Sequence, residues 1–292
     1  MTSRFSNRRA GDDCATCPPK TENIIVIGSE NLYVRSGFWL KCMFLSCGFA
    51  VAQGRIPPPG WQRADRTTIL YVPDGYSRWQ LLTLDFLRDN LGVNVVRCGS
   101  KAAVLNHLRN RMIDGKEHKI RNLVFFSHGV TGAISLNYRM EPQIDLVEED
   151  FIGLPSNLFV PDGRIYSYAC QTAQNGFAQS LADHFNVPMQ AYYRRSFYEL
   201  CLRDPADSDR ITVTLRAGRE TQEGQKIDIP PDHEAFPHPG LGGGFGGWYG
   251  ASAEGTKDYA LWRKAGAIAL PITGSTPPEQ PTGFITHRPS QE

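Results

Sequence analysis

No stretch of the 292-residue sequence carries the roughly twenty consecutive apolar residues that a bilayer-crossing helix needs. The nearest, residues 37–52 (GFWLKCMFLSCGFAVA), is about 16 residues long and contains Lys41. It is expected to be a buried helix, with membrane contact the less favoured alternative. Charge of one sign is also lacking. The 31 Lys and Arg against 30 Asp and Glu leave a formal net charge of +1, which gives no electrostatic basis for binding nucleic acid or an anionic membrane. Residues 1–22 are polar, with Arg4, Arg8, Arg9 and Lys20 and no apolar core, unlike a secretory signal. The seven cysteines, odd in number and scattered, do not read as a disulfide framework. A reducing compartment, the cytoplasm, fits that usage best, whether the protein stays there or is delivered into a target cell.

Several signatures of catalysis and cofactor binding are missing too. There is no G-x-S-x-G, which weakens a serine α/β-hydrolase. The glycines of 242–247 lack the Lys-Ser/Thr pair that a nucleotide cradle requires. Asp232, His233, Glu234 and His238 do not have the H-E-x-x-H spacing, and prolines at 230, 231, 237 and 239 prevent a helix from aiming the imidazoles together. Cys14-x-x-Cys17 with Cys42 and Cys47 could supply four thiolates to zinc, but Cys42 and Cys47 lie in the apolar segment. The expectation is no metal and no cofactor.

What the sequence does contain is a rhythm. Residues 24–27 (IIVI) suit a short strand before the apolar segment, and the prolines of 57–59 then break regular structure, so a boundary is placed at 60. Residues 67–72 (TTILYV) read as a strand buried on both faces. A helix over 79–91, a strand over 93–96, a helix over 101–112 and strands over 123–126 and 164–168 follow. A helix over 176–185 and a strand over 188–192 complete the series, and 211–215 could add one more strand. Strand and helix alternating in this way predict an α/β fold, a mostly parallel sheet with helices on both faces in doubly wound order. The organisation expected is a flexible N-terminus (1–22), an apolar segment (23–60), a catalytic domain (61–218) and a Gly/Pro-rich C-terminal region (219–292). The tail over 277–292 is expected to be disordered.

In such sheets the site lies beyond the carboxyl ends of the strands. The strand at 123–126 runs into Ser127-His128-Gly129, and the strand at 164–168 into Ala169-Cys170, 42 residues after the histidine. A free thiol is mostly protonated at neutral pH, and the thiolate is the nucleophile. An imidazole within reach can take that proton and later return it to a leaving amine. Gly129, without a Cβ, lets its backbone N–H approach a substrate closely, and with the N–H of Cys170 it is the candidate oxyanion hole.

A strand ending in His128-Gly129 followed by a strand ending in Ala169-Cys170 resembles the caspase-like superfamily of cysteine peptidases. The stretch 126–136 (FSHGVTGAISL) is most similar to its CHAT-like branch, in which a short hairpin follows the His-Gly. The resemblance covers roughly residues 66–193. It implies that His128 is the general base, that Cys170 is the nucleophile, and that the amides of Gly129 and Cys170 hold the oxyanion. It also implies that the pocket for the residue before the cut is lined near the carboxyl ends of three strands. Here those positions are Asp74, Tyr168 and 192–195. Arg194 or Arg195 could pair with an acidic side chain and Asp74 with a basic one. The chain departs from the pattern in two places. Gln171 follows the cysteine where many members soon have Gly, and Tyr168 stands where caspases carry Gln.

Three functions follow as expectations. The first is a cysteine endopeptidase acting on a protein or peptide, with self-cleavage within 203–225. The second is an inactive interaction module on the same scaffold. The third is a delivered bacterial effector or toxin whose segments at 37–52 and 241–262 contact a membrane or partner. Oligomeric state is not legible.

Overall fold

The computed structural model describes residues 19–29, 43–54, 57–76, 78–113, 115–138, 140–204, 207–213, 247–253 and 280–290. Its centre is a mostly parallel sheet flanked by helices. β1 (Lys20–Ile27), β2 (Arg66–Tyr71), β3 (Asn94–Arg97), β5 (Lys116–Phe126), β9 (Phe159–Ser167) and β10 (Met189–Tyr192) run parallel. A short strand, β4 (Met112–Ile113), pairs antiparallel with β5, and β14 (Phe284–His287) pairs antiparallel with β10 at the edge. The order across the sheet is β14-β10-β9-β5-β1-β2-β3. Numbering the six parallel strands by chain position gives the doubly wound order 3-2-1-4-5-6, which reverses between β1 and β5.

Alternation along the central strands divides the core in two. Ile24 and Val26 of β1 join Leu123 and Phe125 of β5 on one face, against α3 (Lys101–Arg109), α4 (Glu148–Ile152) and α5 (Phe177–Phe185). Ile25 and Ile27 join Val124 and Phe126 on the other, against α1 (Met43–Ala52) and α2 (Arg78–Leu91). Strands covered on both faces explain the continuous apolar runs at 24–27 and 123–126.

Residues 43–52 of the apolar segment therefore belong to this core, and 37–42 lie outside the described residues. Residues 43–51 are all buried, and a Cβ on Gly48 would lie 2.5 Å from Ile27 Cδ1, so the glycine lets α1 approach β1. The boundary expected at 60 does not separate two units, because β1 lies between β2 and β5 in the same sheet. The tail expected to be disordered contributes β14 instead. Its backbone finds ladder partners along β10, with Phe284 opposite Tyr192. Residues 1–18 and 214–246 lie outside the described residues, as do Cys14, Cys17, Cys42 and 232–238, weighed above as metal ligands and not expected to bind one, and the second half of the expected self-cleavage span.

Two small antiparallel sheets complete the fold. One is β6 (His128–Val130), β7 (Ala133–Ser135) and β8 (Asp145–Val147); the other is β11 (Ser196–Asp204) between β12 (Asp207–Val213) and β13 (Gly247–Ala253). At the amino end of β1, Glu22 is fully buried. Arg111 donates to it at 2.8 Å, Thr68 donates its hydroxyl, and Arg66 and His107 lie at 3.6 and 3.9 Å. Burial alone would raise its carboxyl, but His107 nearby and the bonds from Thr68 and Arg111 outweigh that and hold it down at about 2.

Candidate active site

β5 and β9 are neighbours in parallel register, with Val124 opposite Tyr166 and Phe125 opposite Ser167. Equal register brings their carboxyl ends out at one level, so the His128-Gly129 and Ala169-Cys170 segments leave the sheet next to each other. The hairpin that follows His128 is present: β6 turns at Thr131-Gly132 into β7, with His128 opposite Ser135. Gly129 is the point of closest approach. A Cβ there would lie 2.3 Å from the Cys170 carbonyl oxygen, 2.8 Å from the Cys170 nitrogen and 2.8 Å from the Ala169 Cβ. No other residue fits without moving the cysteine turn.

That turn is pinned on several sides. Gln171 adopts the left-handed conformation at φ 59°, and its N–H donates to the Arg194 carbonyl at 3.1 Å. Ala173 donates its N–H to the Tyr192 carbonyl, and the Gln174 side chain donates to the Tyr193 carbonyl at 2.6 Å. Thr131 of the hairpin turn donates its hydroxyl to the Gln174 side-chain carbonyl at 2.9 Å, linking the His and Cys segments. Gln171, where the resembled pattern soon has glycine, takes up the left-handed backbone that glycine would adopt without strain. The sharp bend is made there, with a side chain that tolerates it at some cost.

The imidazole of His128 packs edge-to-face on Phe44 of α1, with centroids 5.1 Å apart, and lies 5.3 Å from the Tyr138 ring. Phe44 in turn meets Tyr198 edge-to-face at 4.8 Å. The Cys170 sulfur is half-buried, and its hydrogen bonds run to Ser196 at the start of β11 rather than to the imidazole. The Ser196 N–H donates to Sγ at 3.3 Å, the Ser196 Oγ lies 3.5 Å from Sγ, and Sγ lies 3.7 Å from the Ser196 carbonyl oxygen. Cys98, just beyond the end of β3, provides a contrast within the chain. It is fully buried, and burial pushes its thiol up to about 11, which leaves it inert.

The other expected residues lie around this centre. Tyr168 stacks on Phe126 at 5.0 Å and meets Phe284 of β14 at 4.7 Å. Its carbonyl accepts from the Ser196 hydroxyl at 2.6 Å and the Tyr198 hydroxyl at 2.9 Å. Asp74, beyond the end of β2, accepts from the Asn137 amide at 3.2 Å. Arg194 is 8% exposed and donates from Nε and Nη2 to the Gln280 carbonyl at 3.0 and 2.8 Å, whereas Arg195 is exposed.

Sequence reasoning missed Phe44, Tyr138, Ser196 and Tyr198. Phe44 was one apolar residue among many in its segment, and residue spacing carries no sign that β11 folds back onto the cysteine. Among the described residues no group of three or more His, Cys, Asp or Glu side chains is placed to hold a metal, and no helix is long and apolar enough to cross a membrane. Comparison with protein-family models, curated proteins and solved structures finds no match to this chain.

Proposed function

We propose that the protein is a caspase-like cysteine endopeptidase in which His128 and Cys170 form the working pair. The observation that carries this reading is the contact at Gly129, which locks the His128 strand end against the Cys170 turn. His128 takes the Cys170 proton. The sulfur then attacks the scissile carbonyl carbon, and the C–N bond breaks as the imidazolium returns the proton to the departing amine. Water, deprotonated by the same imidazole, cleaves the thioester and releases the acid and the thiol.

The ladder supports an oxyanion role for Gly129. In a two-residue hairpin closed by Val130 and Ala133, Gly129–Ile134 is the non-hydrogen-bonded pair, so the Gly129 N–H points away from β7. With the Cys170 N–H beside it, this gives two donors for developing negative charge. For the residue before the cut, Asp74, Tyr168 and Arg195 are the candidates, and Arg195 is the arginine presented to solvent.

The test is a peptide library incubated with purified protein and read by mass spectrometry. Wild type cleaves at defined sites. Cys170→Ala abolishes cleavage, and His128→Ala lowers it at least about 10²-fold, with near-ultraviolet circular dichroism unchanged. Cleavage by Cys170→Ala at the wild-type rate would reject the proposal. A second reading, a non-enzymatic module on this scaffold, is favoured by the hydrogen bonds that tie the sulfur to Ser196 rather than to the imidazole. On that reading wild type and both variants leave the library intact.

A further inference from the structure

We propose that Ser196 is a positioning residue that receives the charge of the Cys170 thiolate, donating to the sulfur from both its N–H and its hydroxyl. The inference rests on Cys170 being the nucleophile. It concerns a strand, β11, that is remote from the His-Gly and Ala-Cys segments in the sequence.

The Ser196 Oγ lies between two acceptors, the Tyr168 carbonyl at 2.6 Å and the Cys170 sulfur at 3.5 Å. A hydroxyl carries one hydrogen and can accept through its lone pairs. With a neutral thiol, the Ser196 hydroxyl donates to the Tyr168 carbonyl, and the S–H is shared between the Ser196 hydroxyl and the Ser196 carbonyl, 3.5 and 3.7 Å from Sγ. When the sulfur gives its proton to His128, the S–H donor is lost and a full negative charge takes its place. Rotation about one C–O bond then turns the hydroxyl hydrogen from Tyr168 to Sγ, and no heavy atom moves.

What makes this rotation cheap is the second donor on Tyr168. Its carbonyl also accepts from the Tyr198 hydroxyl at 2.9 Å, so it keeps a partner when Ser196 turns away. Tyr198 is buried, and burial raises its phenol well above the ordinary value, which keeps it a donor at every working pH. The Ser196 N–H, 3.3 Å from Sγ, is a fixed second donor to the thiolate. Both donors are held in place because β11 pairs with β13 along its length from Ser196, which lies opposite Ala253. Hydrogen bonds to a charged acceptor are about twice as strong as neutral ones, so both bonds to the sulfur strengthen when it carries the charge.

The test is the rate of Cys170 alkylation by iodoacetamide in the full-length protein, followed by mass spectrometry across the neutral to alkaline range. Ser196→Ala, Ser196→Thr and His128→Ala are compared with wild type. Ser196→Ala is expected to react about tenfold more slowly near pH 7, one charge-assisted hydrogen bond being worth that factor. Its rate converges with wild type at the alkaline end, where the thiol is ionised in either protein. Ser196→Thr keeps the hydroxyl and returns the rate to wild type. A Ser196→Ala profile that superimposes on wild type, or that is slowed equally at every pH, overturns the proposal, the latter because it reports access alone. His128→Ala is read separately: an unaltered profile there counts against the dyad and leaves the role of Ser196 to be decided by its own variants.

Discussion

Two polar clusters sit at opposite ends of the central sheet, and they are built on opposite plans. At the amino end of β1, Glu22 is fully buried and surrounded by Arg111, Thr68, Arg66 and His107. At the carboxyl ends of β5 and β9, the Cys170 sulfur is half-buried, and Ser196 beside it has two acceptors for one proton. The first cluster holds a buried charge in place at neutral pH and stabilises the fold. The second leaves a proton free to move, which chemistry requires and stability does not.

The contrast can be broken from the structural side first. Arg111→Met leaves the Glu22 carboxylate without its closest cation and should cost about 3–5 kcal/mol in urea unfolding. The alkylation rate of Cys170 in the folded variant should not change. A site that loses reactivity in parallel would mean that the two ends are not independent.

Acid tests the same cluster without mutation. Glu22 is held at about 2 in the folded protein against an ordinary 4.5, so its contribution is complete above pH 4.5 and is lost as pH falls toward 2. The loss should be roughly 3 kcal/mol across that window. Glu22→Gln should be less stable at neutral pH and flatter between pH 4.5 and 2, as measured by denaturant midpoints along the series.

At the other end, Gly129→Ala puts a methyl 2.3 Å from the Cys170 carbonyl oxygen. It should cost about 1–3 kcal/mol of stability and displace the thiol from the imidazole, so peptide cleavage should fall more steeply than stability. Unchanged cleavage would remove the contact on which the functional reading stands. The smallest effect is expected at Gln171. Gln171→Gly relieves the left-handed backbone at φ 59° but adds freedom to the unfolded chain, so the gain should be at most about 1 kcal/mol by thermal unfolding.

Much of the sheet was legible in the sequence, because strands buried on both faces must be apolar without interruption. The runs at 24–27, 67–72 and 123–126 became β1, β2 and β5, and parallel pairing put His128 beside Cys170. The pieces that were not legible depend on contacts distant in sequence. β1 enters the sheet centre across a proline-containing segment that read as a boundary, and β14 returns from the C-terminal region to pair with β10. Ser196 and Tyr198 became visible only when β11 lay against the cysteine turn, since nothing in a serine or tyrosine of a short strand announces a neighbouring sulfur. Gln171 is a local case of the same kind: it was noted only as a departure from the resembled pattern, and its left-handed backbone showed itself only in the folded turn.

The proposed pairing of the His128 imidazole with the Cys170 thiol can be tested directly with a bifunctional reagent. 1,3-Dibromoacetone alkylates a thiolate with one arm and leaves the second arm within a three-carbon reach. Peptide mapping after reaction should find Cys170 and His128 joined by the reagent in a single cross-linked peptide. Recovery of Cys170 with its second arm hydrolysed, or bridged to any residue other than His128, would contradict the pairing.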